Sequence, residues 1–321
     1  MSAAEPGVGK ARASGQRGPD QATPPSAATP DRAGAGGAQE HWQAARRMAA
    51  RILFYALVSV LAMFFALPML WLVTAPFDAH PTYAVSLPEL TLDNFREIGR
   101  NPYALSSLAA SVVLAVSTML LVVGGAALAA YALSRVRIPG RDPLLYLLLL
   151  LSSVVTGTAA MVPIFLLVTQ LGRVDERVGI DSWGAVVLVM SGGLLPAAIF
   201  MLKDFVDSIP RSYEESARVF GASPLRTLKD VVAPLISPGL ATIAVWTIVN
   251  VWGNFLVPFI LLRDPDKQPA AVLVRTLYTE GGQPNLALLS TFSLLYSIPV
   301  VLMYLFVSTR YGFRFHGGIK A

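Results

Sequence analysis

Long apolar runs separated by short polar segments dominate the chain from about residue 50 onward. Six runs are long enough to cross a membrane, for which about 20 mostly apolar residues are needed. They cover residues 52–73, 104–133, 144–171, 183–202, 235–262 and 286–309. The pattern therefore predicts an all-α fold, an integral membrane helical bundle with six transmembrane helices.

Prolines and small residues within these runs favour a packed bundle over isolated spans. Five of the six runs contain a proline, which a membrane helix tolerates where neighbouring helices satisfy the freed carbonyl groups. The second run also contains a stretch of small residues: Gly124, Gly125, Ala126, Ala127, Ala129 and Ala130. Small residues let another helix approach closely, so we expect packing within the chain, with a subunit contact as the alternative.

Charge is scarce and unevenly distributed. The chain is 54% hydrophobic and 14% charged, whereas soluble domains carry about 25% charged residues. With six spans, 18 of the 25 Lys and Arg residues fall on the side that holds both termini. Because cytoplasmic loops carry the excess of Lys and Arg, we predict a multi-pass protein of the cell membrane with cytoplasmic N- and C-termini. Its surroundings are membrane lipid, and no nucleic acid partner is expected.

The N-terminal segment differs in composition from the rest. Ala, Gly and Pro make up 22 of the first 40 residues, a composition that buries too little apolar surface to offset the entropy of ordering. We predict a disordered cytoplasmic tail over residues 1–45 and a six-span transmembrane domain over residues 46–321. The first apolar run exceeds the 7–15 residues of a signal-peptide core, so we expect it to be retained.

The spans lack the groups that chemistry or ion coupling needs. None of the six runs contains Asp, Glu, Lys, Arg or His, and the chain has no cysteine and three scattered histidines. The sequence GVGK at residues 7–10 lacks the spacing of a phosphate-binding loop. We therefore predict no catalytic residue, no metal site and no cofactor bound by this chain. Uphill transport would need energy from a partner on the cytoplasmic face.

One polar segment, residues 212–234, carries signals for two short helices. Ser212 and Glu215 have capping-box spacing, and Gly221 suits a left-handed helix end. Ser223 and Pro224 suit the N-cap and first residue of a second helix. Tyr213, Ala217 and Phe220 then share one face of the first helix. A contact surface for a partner and a helix that only returns the chain along the membrane surface, with Glu215 as a cap, both fit this pattern.

The same segment resembles the EAA loop of ABC-importer permeases. The matching positions are Glu215, Ser216, Ala217, Gly221, Val231, Ala233 and Pro234. Flanking sequences strengthen the resemblance: LPMLWLVTAPF, TLDNF, AAYALSRVRIPGRD, MVPIFLL, FVDSIPRSYEE and the terminal HGGIKA. Over about residues 50–321 the chain is similar to the carbohydrate, maltose-type branch, close to the second permease subunit of that system.

This resemblance implies a type I ABC-importer permease fold and a set of partners. They are a second permease subunit, two ATP-binding subunits that hold ATP and Mg, and an extracytoplasmic solute-binding protein. A coupling loop at about residues 207–234 would dock on an ATP-binding subunit, and Glu215 would pair with a basic residue there. The residues implied in coupling are Tyr213, Glu215, Ala217, Phe220, Gly221, Ala222 and Pro224.

The fifth run carries the one notable polar stripe within the predicted spans. Trp246, Asn250 and Asn254 recur at every fourth residue, so they share a helix face. Amide groups and an indole suit a sugar, which offers hydroxyl groups and an apolar ring face. Interhelical hydrogen bonding by the two asparagines, with packing by Trp246, is the alternative.

The function predicted from these observations is the permease subunit of an ATP-driven importer that forms the path of a sugar or oligosaccharide, and is not itself an enzyme. The same machinery carrying a non-sugar solute, such as a polyamine or phosphate, is the first alternative. A membrane-embedded enzyme would need clustered Asp, His, Ser or Lys, which the sequence lacks. A channel would leave the EAA-like loop without a purpose.

Overall fold

The computed structural model describes residues 33–82, 89–136, 139–155, 157–279 and 285–311. The chain divides into two compact units, Met1–Met63 and Phe64–Ala321. Helix α1, Ala33–Thr74, begins in the first unit and ends in the second. Its first residues belong to the segment predicted to be disordered to residue 45. Residues 1–32 of that predicted tail, like the terminal HGGIKA, lie outside the described residues.

The rest of the described chain is built from helices. Among the described residues there is no strand, and two residues, Asp78 and Leu90, form an isolated β-bridge. The all-α prediction is therefore confirmed. The further helices are α2 Asp93–Arg100, α3 Ala104–Arg135, α4 Arg141–Val155, α5 Met161–Gly172, α6 Trp183–Asp207, α7 Ser212–Val219, α8 Pro224–Thr227, α9 Ala233–Leu235, α10 Ser237–Trp252, α11 Leu256–Leu261, α12 Ala270–Thr279 and α13 Leu286–Tyr311.

Four helical stretches in the described residues are long and apolar enough to cross a membrane. They are Arg46–Phe77, Ala104–Arg135, Trp183–Asp207 and Leu286–Thr309. These correspond to the first, second, fourth and sixth predicted runs. A pair of helices bent by 83°, Pro224–Leu235 and Ser237–Trp252, adds a fifth if the two are counted as one span.

The third predicted run is divided between two helices in the described residues. Helix α4 ends at Val155, and a 3₁₀ turn, Thr158–Ala160, precedes α5. Gly157 has extended backbone angles, φ −76° and ψ 153°. Ser152 and Ser153 donate hydrogen bonds to carbonyl groups three residues earlier, a contact that bends helices. Ser, Thr and Gly in this region favour a helix less than the leucines before them.

The fifth predicted run is also interrupted. Helix α10 ends at Trp252, and α11 begins at Leu256. The side-chain oxygen of Asn254 accepts a hydrogen bond of 3.0 Å from the backbone N–H of Val257 and so caps α11. Pro258 then falls in the first turn of α11, where a missing N–H leaves no helical bond unmade.

Helices α3, α6 and α10 form the centre of the second unit. Ala126 and Ala130 of α3 are fully buried, and a Cβ at Gly125 would lie 3.1 Å from Leu195 of α6. The predicted packing of small residues within the chain is thereby confirmed for this face of α3. A smaller apolar cluster joins α2, α12 and α13 to the first residue of α3: Ile98, Ala104, Ala270, Leu273, Leu277 and Phe292.

Candidate functional site

The segment between α6 and α10 folds into the two short helices that the sequence predicts, but its start differs. The N-cap of α7 is Arg211, whose carbonyl accepts hydrogen bonds of 3.0 Å from the N–H groups of Glu214 and Glu215. Ser212 is already helical, so the predicted capping box with Glu215 is wrong. The helix starts one residue early because Pro210, just before Arg211, has a φ suited to a helix start.

The end of α7 follows the prediction in detail. Gly221 has φ +79°, and its N–H donates to the carbonyl of Arg218 over 2.9 Å. The N–H of Ala222 donates to the carbonyl of Ala217 over 3.1 Å. These two bonds form a Schellman motif, in which the left-handed residue is usually glycine. Backbone hydrogen bonds therefore define the geometry with which the chain leaves α7.

The second short helix begins as predicted and then departs from regular geometry. The side chain of Ser223 accepts a hydrogen bond from the N–H of Arg226, and Pro224 is the first residue of α8. A π-helical turn, Leu228–Val232, follows. Val232 is fully buried, so this part of the segment is anchored in the bundle.

The outward face of the segment is rich in apolar side chains. Tyr213, Val219, Phe220 and Leu225 are 55%, 84%, 90% and 69% exposed. Ala217 and Ala222 are half-buried, and Pro224 is exposed. Exposed apolar residues clustered on an otherwise polar segment are typical of a protein contact surface. The structure therefore keeps Tyr213 and Phe220 on the outside but turns Ala217 partly toward the protein.

Glu215 lies on the exposed side of α7, next to two arginines. It borders a depression of about 80 Å³ together with Arg211 and Arg218. Its carboxylate is thus accessible to a partner and is not needed to cap the helix.

The neighbouring Glu214, which the sequence analysis did not single out, is the buried residue of α7. Its side chain is 2% exposed, and its Oε1 accepts a hydrogen bond of 2.6 Å from Nε of Arg135. The hydroxyl of Tyr131 donates to Oε2 over 3.1 Å. Both partners belong to α3, about 80 residues earlier, and no local sequence pattern links them to α7.

The predicted polar stripe on α10 is split by the structure. Asn250 and Asn254 line a cavity of about 120 Å³ with residues of α6 and α11, among them Met190 and Gly193. Trp246 lies outside that lining and is half-buried against the central apolar cluster. Its carbonyl accepts a hydrogen bond of 2.8 Å from the Asn250 amide. Two of the three predicted path residues are therefore brought together at one cavity.

The described residues contain no group of three or more His, Asp or Glu side chains placed to hold a metal ion. What the described part offers instead is a short exposed helix fixed to a bundle of apolar helices, and a cavity between α6, α10 and α11 that two asparagines line together with apolar residues.

Comparisons with known proteins agree with this architecture. The chain is 28% identical over 268 residues to the maltodextrin transport system permease protein MdxG of Bacillus subtilis strain 168, which covers 83% of this chain and 94% of that protein. It is also 28% identical to the trehalose transport system permease protein SugB of Mycobacterium tuberculosis, over 82% of this chain and 95% of that protein.

A solved structure shows the same fold. A bacterial ABC transporter involved in the import of the acidic polysaccharide alginate matches with a TM-score of 0.66 and 20% identity, over 82% of this chain and 97% of the matched chain. The family model described as "Binding-protein-dependent transport system inner membrane component" matches residues 141–313, more than half of the sequence. This multi-pass membrane protein therefore belongs to the family of binding-protein-dependent transport system inner membrane components.

Proposed function

We propose that this chain is a permease subunit of an ABC importer and forms part of the membrane path of a sugar or oligosaccharide. The observation that carries the proposal is the exposed apolar face of α7 and α8 in a chain of this family. Tyr213 and Phe220 extend from a helix whose end is fixed by backbone hydrogen bonds. A rigid, outward-facing helix of this kind suits docking to a subunit that supplies force.

The proposed solute is a carbohydrate. The two relatives named above are called permeases for maltodextrin and trehalose, and this chain covers more than nine-tenths of each. Neither name supports the alternative of a polyamine or phosphate. The amide groups of Asn250 and Asn254 at a shared cavity are consistent with sugar hydroxyls as passing ligands, and we propose both as contacts of the solute.

The proposed energy source is ATP hydrolysis in separate subunits. Two ATP-binding subunits would hold ATP and Mg, and each would contact a permease subunit through a segment like that of residues 207–234. In this chain the contact would use Tyr213, Phe220 and Pro224, which are exposed, and Glu215, whose accessible carboxylate would pair with a basic residue. A second permease subunit and an extracytoplasmic solute-binding protein complete the complex.

The proposed orientation places α7 and both termini in the cytoplasm. The support is the distribution of charge: with six spans, 18 of the 25 Lys and Arg residues of the chain fall on the same side as α7. Such a bias sets the orientation of multi-pass membrane proteins.

Deletion of the gene and complementation by plasmid test this function. The deletion strain should lose uptake of radiolabelled maltodextrin or trehalose, and the intact gene should restore it. Affinity purification of the tagged chain should recover an ATPase. Normal uptake of every oligosaccharide tested, together with lost uptake of polyamine or phosphate, would contradict the assignment of the solute. Purification of the folded chain without any ATPase would contradict the function itself.

A further inference from the structure

The buried pair Arg135–Glu214 is the feature of the described residues whose role neither the family assignment nor the exposed contact surface explains. We propose that Arg135 is a positioning residue that transmits movement of α7 to α3 and α6. This inference rests on the proposed function, because movement of α7 would be driven by the ATP-binding subunits.

Arg135 joins its own helix to two other elements with one guanidinium group. Its Nε donates to Oε1 of Glu214 in α7 over 2.6 Å. Its Nη2 donates to the carbonyl groups of Val206, in α6, and of Ile209, just after α6, over 3.0 and 3.2 Å. Arg135 itself is the last residue of α3. Because the guanidinium is planar and its donors have fixed directions, α3, α7 and the end of α6 are held in one geometry.

Glu214 is held from both sides. Tyr131, one turn before Arg135 on α3, donates to Oε2. Nη2 of Arg218 lies 3.9 Å from the same oxygen on the outward side. The Glu214 side chain is 2% exposed and that of Arg135 is 9% exposed. A carboxylate with both oxygens engaged and little access to water cannot rotate without losing charge-assisted hydrogen bonds.

The rest of α7 has no comparable attachment. Glu214 is the buried residue among Ser212–Val219, while the other side chains are exposed or half-buried. Apolar contacts are non-directional and permit a short helix to slide. A buried ion pair has a defined geometry, so displacement of α7 would be passed to α3 through Glu214 and Arg135.

A second set of contacts makes α3 and α6 move together at this end. Ser134 hydrogen-bonds to Asp207 of α6, and Nζ of Lys203 lies 2.6 Å from the same carboxylate. Arg141, at the start of α4, donates to the carbonyl of Leu133 over 3.0 Å. The helix ends that adjoin α7 are thus joined by polar contacts from the two residues that precede Arg135.

The test measures solute taken up per ATP hydrolysed in the complete complex, reconstituted in proteoliposomes with its solute-binding protein. The probe is radiolabelled maltotriose or trehalose, whichever the unaltered complex transports. Arg135→Gln should lower this ratio by at least about tenfold, in the range of coupling free energies between sites. Arg135→Lys keeps the charge but loses the planar guanidinium that bonds the carbonyl groups of α6. Its uptake per ATP should therefore lie between that of the unaltered complex and that of Arg135→Gln.

A double variant separates coupling from simple stabilisation. Arg135→Gln and Glu214→Gln each leave one buried charge without its nearest ionic partner, whereas the double variant leaves a neutral pair at these two positions. Each single variant retains some fraction of the unaltered uptake per ATP. The fraction retained by the double variant should exceed the product of these two fractions, because the effects of substituting residues in contact are not additive. Arg96→Gln, which breaks the exposed pair with Asp93, is the matched control and should keep the ratio of the unaltered complex.

The outcomes are distinguishable. If the unaltered complex neither contains an ATPase nor takes up sugar, the proposed function fails. If it transports, and Arg135→Gln and Arg135→Lys reduce only the amount of assembled complex while uptake per ATP stays constant, the pair is purely structural and the inference is overturned. A constant ratio in assembled Arg135→Gln complex overturns it as well.

Discussion

Nζ of Lys267 lies 2.9 Å from Oδ2 of Asp181, although 86 residues separate the two along the chain. Oδ1 of Asp181 accepts hydrogen bonds of 3.0 Å from the backbone N–H groups of Arg263 and Asp264. Asp181 has φ 64°, a left-handed conformation that Asp and Asn adopt more readily than other non-glycine residues. One carboxylate thereby ties the segment that precedes α6 to the turn after α11.

These contacts shift the pKa values of both partners. Burial, the largest influence on Asp181, acts to raise its pKa, but the hydrogen bonds from the Asp264 and Arg263 N–H groups and from Lys267 together bring the pKa below its ordinary 3.8. The hydrogen bond to Asp181 raises the pKa of Lys267. A carboxylate with a lowered pKa stabilises the fold above its ordinary pKa, and this contribution is lost as pH falls through the folded value.

Asp181→Asn should therefore destabilise the protein in a pH-dependent way. Asn keeps Oδ1 and tolerates the backbone angle but removes the charge. We expect the free energy of unfolding to fall by less than about 1 kcal/mol near neutral pH, as for partly exposed ion pairs. The difference should vanish as pH falls through the lowered pKa of Asp181. Thermal unfolding in detergent measures this, and an equal difference at both ends of the pH range would contradict it.

Gly239→Ala should weaken the crossing of α10 and α6. A Cβ at Gly239 would lie 2.6 to 2.9 Å from three ring atoms of Phe205, so the ring would have to move. Overpacking of this kind costs about 1–3 kcal/mol. Gly192→Ala is the control, because a Cβ there has no neighbour within 4 Å and should be neutral or stabilising. Phe205→Ala should rescue Gly239→Ala in thermal unfolding, and absence of rescue would show that the clash is not the cause.

Substitutions at Gly221 should distinguish backbone strain from charge. A Cβ at Gly221 would meet no atom within 4 Å, so a side chain has room. The cost of a substitution comes from the left-handed backbone, φ +79°, and is about 1–2 kcal/mol for most residues. Asn tolerates this conformation, so Gly221→Asn should retain most uptake while Gly221→Val should lose it. Gly221→Asp has nearly the same shape as Gly221→Asn but adds a negative charge on the exposed face. We expect it to uncouple ATP hydrolysis from uptake, and equal behaviour of the Asn and Asp variants would contradict a charge effect.

The two asparagines at the cavity should respond differently to substitution. Asn254 caps α11, so Asn254→Ala should cost about 1 kcal/mol of stability. The amide of Asn250 bonds a carbonyl of its own helix, so Asn250→Ala should leave stability nearly unchanged. It should instead raise the KM for sugar uptake. Unchanged uptake kinetics in Asn250→Ala would remove this residue from the solute path.

Local signals predicted the segment after α6 better than the spans around it. The helix break at Gly221 and the restart at Ser223 and Pro224 follow from backbone geometry and side-chain caps, which depend on a few neighbouring residues. The interrupted runs were predicted as continuous because apolar content alone does not register the effect of Gly157 or of Asn254. Hydropathy measures compatibility with lipid, whereas helix continuity depends on each residue's backbone preference.

The order of residues was enough to predict an all-α membrane protein, the polar segments in which Lys and Arg are concentrated, and the residue at which α7 ends. Apolar run length, charge distribution and glycine conformation are properties of short stretches, so the order of residues suffices for them. Packing in three dimensions is what buries Glu214, leaves Glu215 exposed and makes Arg135 the partner of Glu214. Two adjacent glutamates have equal local propensities, and which one meets a buried arginine depends on how α3 packs beside α7, a contact between residues about 80 positions apart.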